Sequence, residues 1–138
     1  RDDLYVRGEL KVGEKLETAG AVILGTEAIT GDGALSTTIP VSFLDTTSGA
    51  AAVTLAASTV AGAIKHVIMA KDGGDATLTV ASTAGAGTTY TFANVGESVM
   101  FINAADEDGA IIGWAEMSRG SGAVNAAAAF DGPAVTAP

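Results

Sequence analysis

The chain has 138 residues with 16 acidic and 7 basic side chains, for a formal charge of −9. That is enough for one domain with an attached arm, and too acidic to favour nucleic acid or anionic membranes as partners. Hydrophobic residues make up 48% but aromatics only 5%, so the core must be built from small aliphatic side chains. Such side chains bury little area each, which points to a partner surface that completes the core. The absence of cysteine excludes disulfides and thiolate-bound metal, and no apolar run approaches the ~18 residues of a membrane span.

The first residue is not Met, which suggests a processed end or a trimmed fragment, and no signal-peptide pattern is visible. From Leu4 to Leu24 the apolar pairs Leu4/Val6, Leu10/Val12 and Val22/Leu24 have strand period, punctuated by Gly8, Gly13 and Gly20. Each glycine costs about 1 kcal/mol inside a helix, so short strands rank ahead of an amphipathic helix. Residues 25–36 are rich in turn chemistry, strongest at Asp32-Gly33. Ile39, Val41 and Phe43 alternate, and Pro40 among them marks a strand start or an edge.

Short strands are expected at Val53–Leu55 and, denser and central, at Ala63–Ala70. Lys71 to Asp75 reads as a tight hairpin turn. Leu78 and Val80 share one face, with Thr77 and Thr79 on the other; Tyr90 and Phe92 then point inward. Ser98 to Asn103 is a buried strand around Val99, Met100, Phe101 and Ile102, 104–109 a polar loop, and Ile111–Met117 a strand carrying the single Trp. Strands recurring about every ten residues between Gly/Asp/Asn turns predict an all-β fold, an antiparallel sandwich or barrel of jelly-roll type. A Gly-punctuated β segment (1–36) precedes the β domain (37–117), and an extended arm (118–138) follows it. Ile68, Leu78, Phe101 and Trp114 are the expected core.

The succession VTL, AGAIKHVIM, DGGDATLTV, GTTYTF, VGESVMFI and GW, from Val53 to Trp114, resembles a β-rich module of phage virion proteins such as capsid decoration proteins, head fibres and tail fibres. The Gly-punctuated stretch from Val6 to Gly25 is similar to the trimeric β-shafts of phage fibres. The resemblance implies a homotrimeric protein on the outer surface of the virion, with no catalysis and no cofactor.

Catalytic constellations are scarce. His66 is the only histidine, so neither a zinc site nor a Ser-His-Asp triad finds a second anchor, and no Gly-x-Ser-x-Gly elbow is present. Gly31-Asp32-Gly33 and Gly85-Ala86-Gly87 lead into no helix and are not phosphate loops. Asp106-Glu107-Asp108 is the one compact carboxylate cluster; it lacks EF-hand spacing and reads as a solvated hairpin loop rather than a calcium site. The expected role is that of a capsid decoration, or cement, protein contacting the major capsid protein or another virion protein. Arg1, Leu4, Tyr5, Val6 and Arg7 form the expected attachment segment, because Tyr and Arg concentrate at the energetic centres of interfaces. The alternatives are the receptor-binding knob of a head or tail fibre, and a secreted glycan-binding β domain.

Overall fold

A computed structural model describes residues 3–85, 88–120 and 124–125 of the chain. Its described residues form ten strands and no helix. They are β1 (Thr26–Thr30), β2 (Gly33–Leu35), β3 (Val41–Asp45), β4 (Ala51–Leu55), β5 (Ile64–Lys71), β6 (Ala76–Val80), β7 (Thr89–Phe92), β8 (Ser98–Ala105), β9 (Ile111–Gly120) and β10 (Val124–Asn125). They make two five-stranded sheets, β1-β3-β5-β8-β9 and β10-β7-β6-β4-β2. The fold is an all-β sandwich with no closed barrel.

The path of the chain is more specific than the strand count suggests. β1 to β6 alternate between the two sheets, and each strand pairs in parallel with the strand two places on: β1 with β3, β3 with β5, β2 with β4, β4 with β6. This part of the chain winds as three coils of a flattened solenoid. The second half then closes each sheet with antiparallel neighbours, β8 and β9 on the first, β7 and β10 on the second. The sheets are therefore mixed, where wholly antiparallel strands were expected.

The same topology corrects the expected hairpin at residues 71–75. β5 and β6 lie in different sheets, so this glycine turn is a corner between them. Its two glycines are required by a neighbouring corner: a Cβ on Gly73 would stand 2.5 Å from the Thr46 carbonyl oxygen, and one on Gly74 2.6 Å from the Ala50 nitrogen. The Gly73 amide donates to Thr46 Oγ1 at 3.1 Å, locking the two corners together.

The β1 and β2 strands belong to the sheets, although they fall within the segment assigned to a separate N-terminal unit. Residues 3–25, by contrast, form no strand, so the strand pairs expected at Leu4/Val6, Leu10/Val12 and Val22/Leu24 are absent. β9 runs three residues further than expected, to Gly120. The rest of the expected arm lies outside the described residues except for Val124–Asn125, which pair with β7.

The core fills the space between the sheets. Leu44, Val53, Leu55, Val67, Met69, Leu78, Val80, Tyr90, Phe92, Val99, Phe101 and Trp114 are all 1% exposed or less. Leu78, Phe101 and Trp114 sit there as expected. Ile68 does not: in β5 the inward residues are Lys65, Val67 and Met69, and Ile68 lies half-buried on the opposite face. Both faces of this central strand are largely apolar, so hydrophobicity alone does not set its phase. The phase is set by a buried amine. Lys65, fully buried, donates through Nζ to Glu27 Oε1 (2.9 Å), the Ser36 carbonyl (2.7 Å) and the Ile39 carbonyl (2.9 Å). Glu27 Oε1 also accepts from the Ser36 amide (2.8 Å) and Ser42 Oγ (2.5 Å). All three ammonium protons are used, and the node ties β1, β3, β5 and the loop after β2 into one unit.

Candidate interaction surface

The outer faces of the two sheets differ in chemistry. On the second sheet, Thr54 stands opposite Thr79 and Thr79 opposite Thr89, while Thr77 stands opposite Ala52 and Thr91. This is the short, hydroxylated face of a sheet that meets water.

The first sheet presents apolar side chains on both of its faces. Its outer rows run Ala28–Phe43–Ile68–Ser98, then Thr26–Val41–His66–Met100–Ser118, then Ile64–Ile102–Ala115. Ile64 is 44% exposed and Met117, at the bulge in β9, is 51% exposed; Val41, Phe43, Ile68, Met100 and Ile102 are half-buried. Together these side chains make a contiguous, largely aliphatic face with Thr26, Ser98 and Ser118 at its margins. The sequence carried its signal in the runs 63–70 and 98–103, where apolar residues fall at most inward and outward positions alike.

His66 stands in the middle of this face. Burial lowers its pKa, which favours the neutral imidazole that an apolar contact tolerates. Three carboxylates elsewhere are also held low. Burial raises Glu27, but hydrogen bonds from Ser42, Lys65 and the Ser36 amide outweigh it. Asp45 is lowered by the Thr47 hydroxyl and amide. Burial raises Glu97 as well, and the Asn94 side chain and the Ala93 amide outweigh that.

All four groups bind fewer protons folded than unfolded, so all four contribute stability that falls with acid. For His66 the loss begins below its ordinary 6.5; for the carboxylates it begins below 4.5 and 3.8 and completes beneath their lowered values. Melting temperature is expected to decline modestly on going from neutral to mildly acid buffer and steeply below about pH 4.5. A flat profile across that range would show that these groups are not preferentially ionised or neutral in the fold.

The other residues singled out by sequence are distributed as follows. Leu4 and Tyr5 are 83% and 84% exposed, and Val6 and Arg7 are exposed beside them; Arg1 lies outside the described residues. Asp106 closes the β8–β9 hairpin, its Oδ1 accepting from the Asp108 amide (3.0 Å) and the Ala110 amide (2.9 Å). Among the described residues no three His, Asp or Glu side chains converge on a point that a metal would occupy. Of Gly85-Ala86-Gly87, only Gly85 falls within the described residues.

One apolar groove of about 420 Å³ adjoins the outer face at the end where β1, β3 and β5 begin, and Ile64 belongs to both. Leu24, Pro40, Val60 and Ala63 form its walls, with Gly62 between them. Sequence reasoning missed it, because its residues come from three separated loops. No family model matches the chain, and no curated protein is significantly similar to it.

Proposed function

We propose that this chain is a non-enzymatic structural module that assembles as a homotrimer on the outer surface of a phage capsid, where it acts as a decoration protein. The observation that carries the assembly is the apolar outer face of the first sheet, set against the threonine-lined face of the second. Three copies turning that face toward a common axis would bury Phe43, Ile64, Ile68, Met100 and Ile102 in a prism-like interior. This supplies the partner surface that a core poor in aromatics calls for. The virion location rests on the resemblance of the segment from Val53 to Trp114 to phage surface modules. The exposed Leu4, Tyr5, Val6 and Arg7, with Arg1, are the attachment segment to the major capsid protein or another virion protein. Three such weak contacts carried on one trimer act together through effective concentration.

Native mass spectrometry at micromolar concentration is expected to show a trimer. Ile68→Asp, on the half-buried outer face, should yield a folded monomer with an unchanged β-type circular dichroism spectrum. A wild-type monomer, or a trimer indifferent to Ile68→Asp, would overturn the role assigned to this face. Quantitative mass spectrometry of the virus particle separates decoration from a fibre knob: hundreds of copies are expected, and a handful would assign the chain to a fibre.

A further inference from the structure

We infer that the first coil of the sandwich, β1 and β2 with the loop to Pro40, is a latch that opens in acid while the remaining strands stay folded. Residues 3–25, continuous with β1, leave with it. The inference stands on the fold alone and is independent of the assembly proposed above.

Position makes the coil separable. β1 and β2 are edge strands of the two sheets, and the corner Gly31-Asp32 joins them at one end of the sandwich. Among the described residues each pairs along one side only, β1 with β3 and β2 with β4. Detaching them leaves two four-stranded sheets with β3 and β4 as their edges. The core loses little: between Thr26 and Pro40 the one fully buried apolar side chain is Leu35, and Ile29 is partly buried against the core. In a solenoid each coil depends mainly on its neighbour, so a terminal coil can open by itself.

The buried hold on the coil is concentrated in one ion pair. Three ties besides the strand ladders lie near the surface: the Gly31 amide to the Asp45 carbonyl (3.0 Å), the Val41 amide to the Gly25 carbonyl (3.3 Å) and the Ala52 amide to Asp32 Oδ1 (2.7 Å). The buried tie is Lys65, which reaches out of β5 to Glu27 and to the Ser36 and Ile39 carbonyls, helped by Ser42 from β3. Among the described residues no other titratable side chain faces Glu27. β3 presents Ser42 and Leu44 to the interior, β5 presents Lys65 and Val67, and β4 presents only aliphatic side chains. The loop from Ser36 to Pro40 contains no charge. Asp45 and His66 lie on the opposite face of the sheet.

Protonating Glu27 leaves the Lys65 ammonium buried without a counter-charge, the costly state of a broken ion pair. Opening the coil returns that ammonium to water and gives up two short edge ladders and Leu35. Burial raises the Glu27 pKa, but the hydrogen bonds from Ser42, Lys65 and the Ser36 amide outweigh it and hold the carboxyl below its ordinary 4.5. The latch is therefore closed above pH 4.5 and released as pH falls through the lowered value.

Hydrogen exchange read by mass spectrometry on the full chain tests this. Glu27→Gln removes the charge and keeps the shape. At neutral pH its exchange across residues 26–39 is expected to rise about a hundredfold over wild type, with β5 to β9 unchanged. In wild type, lowering the pH from neutral to about 3 should open the same residues, after correction for intrinsic exchange, before Trp114 fluorescence changes. Trp114 lies in the core on β9 and reports on the rest of the sandwich. Should Glu27→Gln fail to fold, the acid series on wild type decides by itself. Coil exchange in Glu27→Gln equal to that of wild type would overturn the latch. So would coil opening and the Trp114 change falling at one pH, since the first coil would then belong to a single cooperative unit.

Discussion

Replacing Lys65 with methionine is expected to destabilise the domain by about 3–5 kcal/mol, the usual cost of breaking a buried ion pair by removing one partner. Methionine matches the length of the lysine stem, so the loss is not one of volume. It strands the Ser36 and Ile39 carbonyls, both of which accept from Nζ, and leaves Glu27 with a carboxylate whose counter-charge is gone. Glu27 is 16% exposed, so water relieves part of its desolvation and the effect belongs at the lower end of that range. The damage should be felt in β1 and the loop after β2, which the amine ties to β5. Urea unfolding of Lys65→Met against wild type measures it, with hydrogen exchange locating the loss. A change below about 1 kcal/mol would show that the three hydrogen bonds contribute no more than a solvated lysine does.

The second large effect is expected at Phe101. This residue is fully buried, with its ring edge-on to Tyr90 at 5.2 Å and to Trp114 at 6.5 Å. Phe101→Ala should cost about 3–5 kcal/mol, from lost transfer free energy and from a cavity the sandwich cannot collapse into. Relaxation is limited because both neighbours are anchored. Trp114 donates through Nε1 to the Ala56 carbonyl at 2.9 Å, and Tyr90 donates through its hydroxyl to Glu116 at 3.2 Å. β9 is held from a further side as well: Gly113 adopts φ +115° and approaches Ser82 so closely that a Cβ would stand 2.8 Å from its Oγ. Equilibrium unfolding in urea, with Trp114 fluorescence as the probe, is the measurement. A loss below 1 kcal/mol would mean that the aromatic cluster packs loosely.

The four buried aromatic residues show what was legible in the chain. Tyr90 and Phe92 alternate with threonines, and Phe101 and Trp114 sit in strand-like runs, so their inward positions follow from a period of two and from size. The polar hairpin at 106–109 was legible for a similar reason, since Asp and Gly mark turns by local chemistry. Lys65 was not. A lysine in an apolar strand ordinarily points to water, and its three acceptors come from β1 and the loop after β2, far away along the chain. The placement of Ile68 on the outer face follows from that, since burying Lys65 turns its even-numbered neighbours outward.

The candidate surface divides along the same line. Its ingredients, the apolar runs around 64–69 and 98–102, are written in the sequence, as are the acidic charge and the all-β character. Those features depend on composition and on near neighbours, which a chain carries whatever its fold. The alternation of β1 to β6 between sheets, the groove that joins Leu24, Pro40 and Val60, and the union of Phe43, Ile68 and Met100 on one face were decided by tertiary structure alone. Strand order and parallel pairing depend on contacts between residues distant in sequence, and no local period records which strand lies beside which.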